Sequence, residues 1–524
     1  MTIKPLGDSA WWVEIPGESP LAEVLDLVKR LEKKRPLGVC DVVSSFTSLA
    51  VHFQQGDALE IYAWLAAASA SAGSPGMREG GVFEISVCYD GEDLEEVARM
   101  SELSPDGVIS LHSGATYTVA AVGFSPGFPY LSGLPKCLHI PRRKTPRLAV
   151  AGGSVAIAGG QAGIYPNTSP GGWHVLGHTT EALFHLENSP PALLAPGDQV
   201  KFVPVPTLSL RTAPLEIYAP EDPMIEVLQP GAMTSVQDLG RTSYEASGVS
   251  PGGAMDRGSL RIANLLVGNP QGAAGLEICV SGPILQFYRD TIVAWVDGIG
   301  KTREIAAGEV VDFSKLTCGV RGYLAVAGGI KVPLVLGSSS TDLRAGFGGH
   351  RGRALQAGDH LQVGEPGYSP KPTSWHIGRG GRVSRIELRY LRGVQADWYS
   401  AGALENFRTG TYRLTPQSDR MGARLSGPPL ELKIPREMTS QPVACGSIQV
   451  PPDGQPIVLL AERQTLGGYP QIGHVISVDL PKFARAWPGT SICFREISWD
   501  EAQQLKQAAN KDIGMIAAGI SFKI

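Results

Sequence analysis

The chain has 524 residues, with Lys+Arg 46 against Asp+Glu 50 and a net charge of −4. Without a basic stripe, arginine-rich block or polybasic tail, that balance argues against nucleic acid as a partner. Hydrophobic residues at 43% and charged ones at 18% are ordinary for a globular protein, and such a length predicts roughly three to five domains rather than one core.

The opening MTIKPLGDSAWWVEI shows no charged segment followed by an apolar one, so no secretory signal is expected. SPLAEVLDLVKRLEKK (19–34) predicts a helix with Leu21, Val24, Leu25, Val28 and Leu31 on one face. DALEIYAWLAAASA and GEDLEEVARMSEL predict two more helices, and the first of these contains the most apolar helical stretch, too short and alanine-rich to span a bilayer. Beyond them, Gly 64 and Pro 40 are spread through the chain rather than gathered in a linker, which predicts many short strands joined by tight turns. Seven scattered cysteines with no CxxC among them read as reduced thiols of a cytoplasmic protein.

One phrase is written twice. Gly153-Ser154-Val155, Gly160-Gln161, Gly171-Gly172-Trp173 and Gly177-His178 align with Gly446-Ser447-Ile448, Gly454-Gln455, Gly467-Gly468-Tyr469 and Gly473-His474. The interval from double glycine to histidine is the same in both copies, which predicts two related β-domains. A glycine turn entering an alternating strand also recurs, as LLAPGDQVKF, EIAAGEVVDF, RALQAGDHLQV and RAWPGTSICF. Four such closings predict four β-rich units. Turn-formers without periodicity predict linkers at about 203–224 and 365–384.

Candidate chemistry sits in glycine-flanked loops. GFSPGFPYLSGLP (123–135) is either a packed barrel corner or a pocket wall. In SVQDLGRTSYEASGVSPGGAMD, Gln237, Asp238 and Arg241 lie within one turn, with Asp256 beyond a double glycine. A guanidinium fork binds carboxylate or phosphate in bidentate fashion, and an adjacent Asp can aim it; the alternative is an Arg–Asp pair holding a turn. GSSSTDLRAGFGG groups Ser340, Thr341, Asp342 and Arg344, either as an anion cradle or as a helix cap. SDRMGARL offers Arg420 as a second clamp, and ERQTLGGYP offers Gln464, Thr465 and Tyr469 as hydrogen-bonding groups. DGIGKT is not a phosphate-binding loop, because Trp295 stands where its first glycine belongs. Zinc-ligand spacings and nucleophile-elbow motifs are absent, so no metal is assigned. The equivalent repeat positions of His178 and His474 suggest a shared structural role.

These motifs resemble a family. IKPLGDSAWWVEI, VGFSPGFPYLSGLP, PRRKTPRLAVAGGSVAIAGGQAGIYPNTSPGGW and LLAPGDQVKF resemble the B component of prokaryotic 5-oxoprolinase, earlier labelled as part of allophanate hydrolase, whose family includes a sporulation-kinase inhibitor (KipI). VLQPGAMTSVQDLGR, GVSPGGAMDRGSLRIANLLVGN, GSSSTDLRAGFGG, SDRMGARLSG and RQTLGGYP resemble the C component, whose family includes that inhibitor's antagonist (KipA). Both halves also resemble the carboxyltransferase domain of urea carboxylase, and the chain looks like a B–C fusion. The resemblance implies a mainly β protein with an α+β N-terminal part and cyclophilin-like β-barrels duplicated in two homologous halves. The boundaries it suggests are 1–82 (α+β), 83–206 (barrel), 222–366 (first β-rich domain of the second half) and 384–524 (barrel).

It also implies ATP with Mg²⁺, opening of 5-oxo-L-proline to L-glutamate through a phosphorylated lactam, and a separate LamB/YcsF-like A component. No membrane partner is expected, and a homo-oligomer is. By motif, the resemblance points to Asp238, Arg241, Asp256 and Asp342 for orientation, proton transfer and phosphate binding. Gln237, Ser340, Thr341, Gln464, Thr465 and Tyr469 would bind substrate or phosphate, joined from the first half by His112, Gln161 and Tyr165. Three positions depart from the family: His178 and Arg485 replace its usual Arg and Gln, and Glu462 its usual Asp. Two rival readings remain. One is a biotin-dependent carboxyltransferase acting on urea or a similar amide, with biotin on a partner, since this chain has no Met-Lys-Met site for covalent biotin. The other is a non-enzymatic regulator of a histidine kinase, which fusion disfavours because it holds inhibitor and antagonist at roughly millimolar effective concentration.

Overall fold

The structure is a computed structural model that describes all residues except 18, 19, 55, 57, 71–79, 209–221, 316–318, 367–376, 379–382 and 522–524. Most of both predicted linkers therefore lies outside the described residues. The chain is mostly β, built as a small α+β unit, two barrels and a two-sheet domain between them.

The α+β unit is a four-stranded antiparallel sheet in the order Thr2–Pro5, Ala10–Glu14, Ser48–Phe53, Val39–Ser44. Helices Leu21–Lys33 and Ala58–Ala70 cover one face. The first helix buries Val24 and Leu31 of the predicted face and adds Leu27, while Leu21, Leu25 and Val28 are half-buried. The face follows what it packs against, and rotation by part of a turn brings Leu27 in. Strand Ser48–Phe53 is buried at all six positions. Leu49, Val51 and Phe53 face the helices, while Ala50 packs with Leu6, Trp12, Val394 and Ala444 against the far C-terminal barrel.

The repeated phrase marks two barrels of the same topology. In the first, strands run His174–His178, Ser154–Ala158, Gln161–Ile164, Pro129–Ser132, Thr116–Val122, Gln199–Pro204, Val82–Val87. Reciprocal backbone bonds of 2.9 Å between Cys88 and His178 bring its ends together. The second is closed: Val383–Arg392, Gln471–Val475, Ser447–Gln449, Ile457–Leu459, Gly422–Ser426, Tyr412–Leu414, Ala486–Glu496. Read around each barrel from Val82–Val87 and from Val383–Arg392, the order is the same, with one parallel pair in each, Gln199–Pro204 on Val82–Val87 and Ala486–Glu496 on Val383–Arg392. His178 lies opposite Ser154, and His474 opposite Ser447. Gly153 and Gly446 hold φ of +84° and +93°, and a Cβ on either would sit 2.3 Å from the carbonyl oxygen of Thr179 or Val475. The glycines recur because the same two strands approach the same turn.

Between the barrels, a five-stranded and a six-stranded sheet share one core of Ile225, Val227, Leu285 and Phe287 against Leu276, Ile278, Leu324 and Val326. The closings at Val310–Asp312 and His360–Val363 both belong to the five-stranded sheet. They therefore close one domain rather than two, because alternation reports a half-buried strand and not which sheet it joins. Helix Arg257–Leu266 covers the six-stranded sheet through Ala263 and Leu266.

Helix Trp499–Ser521, absent from the predicted elements, crosses the molecule. Trp499 meets Trp11 at 5.3 Å, Gln503 and Lys506 bond the Asp8 carbonyl, and Ile520 packs beside helix Arg257–Leu266. Its contacts fall on three different units, so no single apolar stripe marks it. Among the described residues no helix is long and apolar enough to cross a membrane, and the six described cysteines are unpaired.

Candidate functional site

Strand Met233–Gln237 leads into the QDLGR loop, which is locked onto the SSSTD loop. The Asp238 carboxylate accepts from Ser338 Oγ at 2.7 Å, the backbone of Gly240 at 2.7 Å and Ser339 at 2.6 Å, and also from Ser340 Oγ. With its lone pairs taken, it is a strut rather than a free base. Gln237 donates to the Thr341 carbonyl at 3.1 Å, and Thr341 Oγ1 to the Val236 carbonyl at 3.0 Å. Asp342 closes its own loop by accepting from Ala345 N at 2.9 Å. The loop 337–349 contains no helix to cap; a Cβ on Gly349 would lie 1.9 Å from Thr341 Oγ1, so tight packing accounts for that glycine.

Arg241 lies 5.0 Å over the Phe347 ring with Nη2 donating to the Ser340 carbonyl. Its Nε and Nη1 are buried without a hydrogen-bond partner among the described residues. Burial lowers its pKa, opposed by Asp342 and Asp238. Asp256 caps helix Arg257–Leu266, accepting from Ser259 N at 3.0 Å and Ser259 Oγ at 2.6 Å.

The remaining candidates are dispersed. His112 stacks on Phe202 at 4.6 Å inside the first barrel and shares a 2.7 Å hydrogen bond with Tyr89; burial pushes its pKa down to about 3. Gln161 is buried on its hairpin strand, its Oε1 without a hydrogen-bond partner among the described residues. Tyr165 stands edge-on to Phe128 at 5.2 Å, in a cluster that includes Leu466 of the second barrel. That contact brings Tyr165 to the same interface as Thr465, which is buried against Gly123 of the 123–135 loop. That loop is thus a packed corner between barrels. Gln464 is half-buried and Tyr469 exposed.

The site the structure brings together lies beside these loops. A cleft of about 590 Å³ opens between the two-sheet domain and the second barrel. Arg420, the second clamp of the sequence reading, is 3% exposed in its wall. Its Nε bonds Glu462 at 2.6 Å, Nη2 the Gly253 carbonyl at 2.7 Å, and Nη1 Glu277. Glu277 also accepts from Met255 N at 2.8 Å and Tyr323 Oη at 2.9 Å.

The two carboxylates diverge. Burial raises Glu277, but Arg420 and Arg321 outweigh it and hold its pKa below the ordinary range. Burial also raises Glu462, and there Arg420 does not compensate, so its pKa stands above the ordinary range. Arg344 stands at the cleft's exposed edge, 5.3 Å over the Phe124 ring, with Nη1 on Met421 Sδ at 3.4 Å. Around these, Met233, Met255, Leu414, Leu460 and Phe483 make an apolar wall.

Such a cleft can hold an anionic or polarised group on Arg344 and Arg321 and exchange a proton at Glu462. Asp238, Arg241, Asp256 and Asp342 do not line it. Their loops present Met255, Leu343 and Arg344, the neighbours in sequence, to it. The signal for Glu462 was its departure from the family's Asp; for Arg344 it was only the place beside Asp342 in a glycine-flanked loop.

Fold and sequence together define the class: the chain belongs to the carboxyltransferase-domain family. Residues 1–194 match "Carboxyltransferase domain, subdomain C and D" and residues 247–496 match "Carboxyltransferase domain, subdomain A and B". Among individual proteins, it is 37% identical to the C component of 5-oxoprolinase from Haemophilus influenzae, over 54% of this chain and 94% of that protein. It is 39% identical to the B component of 5-oxoprolinase from Bacillus subtilis, over 38% of this chain and 91% of that protein. The crystal structure of TTHA0988 superposes with a TM-score of 0.81 at 34% identity, covering 94% of this chain and 100% of that one.

Proposed function

We propose that the chain is the fused B and C component of an ATP-dependent 5-oxoprolinase in the cytoplasm, opening 5-oxo-L-proline to L-glutamate with a separate LamB/YcsF-like A component. The observation that carries this reading is the pair of matches: one chain covers 91% of a B component and 94% of a C component. The cleft supports it chemically, offering cationic donors for an oxygen that gains charge and Glu462 as a proton-exchanging group in an apolar wall.

The cleft's residues fit a phosphate-bearing ligand, since Arg344 is exposed there with a thioether as a hydrogen-bond partner. ATP would supply the phosphoryl group that activates the amide oxygen for attack by water. Arg344 and Arg321 would bind and orient the anion, and Glu462 would hold or release the proton at its carboxyl oxygen. The three-residue groups that could hold a metal among the described residues, Cys88/Asp90/His178 and Asp93/Glu96/His174, lie on the first barrel and do not line the cleft. Mg²⁺ would therefore arrive with the nucleotide.

The test is release of ADP and glutamate from 5-oxo-L-proline, ATP and Mg²⁺ by this chain with the A component. Glu462→Gln is expected to lower turnover by about 10²–10⁴-fold. Unchanged turnover in that variant would remove Glu462 from the mechanism. No turnover at all, beside a competent ordinary B and C pair, would sink the oxoprolinase reading.

A further inference from the structure

Behind the larger cleft is a second cavity of about 230 Å³. Met255 and Leu460 line both and form the partition. Adjacent residues face opposite sides: Glu462 lines the larger cleft and Arg463 the smaller cavity. Three units meet around the smaller one: the N-terminal sheet through Leu6, Phe53 and His52, the 242–257 segment, and the second barrel.

Its polar end has more donors than partners. Arg463 is 2% exposed; one nitrogen pairs with Glu245 at 2.6 Å, while Nε and Nη1 are buried without a hydrogen-bond partner among the described residues. Arg257 makes a long 3.5 Å contact to the Gly252 carbonyl and has no carboxylate within salt-bridge distance among the described residues. Burial depresses its pKa, opposed by Cys445 and Asp238. His52 Nε2 has no hydrogen-bond partner among the described residues and lies 3.8 Å from Glu245.

The negative groups are already engaged: Glu245 by Arg463, and Asp8 by Ser477 N at 2.9 Å and Ser477 Oγ at 2.7 Å, with Lys506 on the Asp8 carbonyl. Arg257 is half-buried with no carboxylate partner among the described residues, and Arg463 is buried with two nitrogens beyond its pair with Glu245; such an excess of guanidinium donors suits an anion. Leu6, Phe53, Met255, Leu460 and Leu480 give the wall an apolar side, with Gln54 and Thr242 among its polar residues, and the volume falls below the roughly 300–1,000 Å³ of drug-sized pockets.

We propose that this cavity is a binding site for a small organic carboxylate, its carboxylate on Arg257 and Arg463 and its hydrocarbon body against Leu6, Met255, Leu460 and Leu480. The site is distinct from the larger cleft and does not rest on the proposed activity. The experiment is calorimetric titration of the intact chain, without nucleotide or the A component, so that it stands or falls separately from turnover. The probes are cyclopentanecarboxylate and 5-oxo-L-proline, with cyclopentanecarboxamide and inorganic phosphate as controls.

Saturable binding of a carboxylate is expected, at least tenfold tighter than the carboxamide or phosphate. Arg257→Gln should weaken it at least tenfold with the thermal midpoint unchanged, and Arg257→Lys should recover part, since it restores charge but not the fork. Should Arg257→Gln fail to fold, the carboxylate-to-carboxamide ratio in the unaltered chain decides alone. The proposal is overturned if no carboxylate saturates, if the carboxamide or phosphate binds equally well, or if a folded Arg257→Gln binds with undiminished affinity.

Discussion

Arg420 is the residue on which the junction of domains turns, because it joins Glu277 of the two-sheet domain to Glu462 and the Gly253 carbonyl in one buried cluster. Arg420→Met would leave Glu462 buried without its cation and Glu277 with Arg321 alone. Loss of about 3–5 kcal/mol is expected, read from urea unfolding; a change within error would mean that water already compensates the pair. His112 and His474 make a second, pH-dependent contribution. Burial holds both near a pKa of about 3 in the folded chain, against about 6.5 unfolded. Their neutral forms favour folding, so this stability is complete above about pH 6.5 and is lost as pH falls toward 3, by up to about 1.4 kcal/mol per unit for each. Asp41 acts oppositely: burial raises it to about 6, and its contribution is lost as pH rises from about 4 toward 6. His112→Phe keeps the stack on Phe202 and should flatten the fall of the thermal midpoint between pH 6.5 and 4.5. An identical fall in both proteins would exclude His112 as a source.

At the scale of elements, the duplicated barrel makes a paired prediction. Gly153→Ala and Gly446→Ala each drive a methyl group into a backbone carbonyl 2.3 Å away at a positive φ. Each should destabilise by about 1–3 kcal/mol, and by similar amounts, because the two turns are built alike. Strongly unequal losses would show that the glycines serve different local ends. The repeat was legible because glycine at positive φ cannot be exchanged cheaply, so its spacing persists in the chain. Helix Trp499–Ser521 was not legible, since its apolar residues answer to Trp11, Ile476 and helix Arg257–Leu266 in turn. Truncation before Trp499 should uncover Trp11 and Leu391 and yield a chain that aggregates on gel filtration; a monodisperse product would deny the helix its role as a strap.

On the scale of the whole molecule, the halves are bound by contacts between residues distant in sequence. Asp8 is held by Ser477, Gln503 and Lys506, and Asp41 accepts from Ala246 N at 3.0 Å. Two polypeptides divided within 209–221 and expressed together should therefore copurify at physiological salt. Failure to do so would show that the covalent link, and not this interface, keeps the halves together.

By itself the amino-acid sequence determined the mainly β architecture, the duplicated barrel and the family, because turn glycines, strand alternation and motif spacing are local properties of the chain. Only the tertiary structure decided which polar residues face a cavity. QDLGR and SSSTD look like catalytic loops, yet Asp238 is fully hydrogen-bonded within them. Glu462 and Arg463, neighbours in sequence, serve different cavities. Whether a carboxylate or guanidinium is spent on a partner or left for a ligand depends largely on groups distant in the chain, from 42 residues for Glu462 and Arg420 to 218 for Glu245 and Arg463, and no local pattern records that distance.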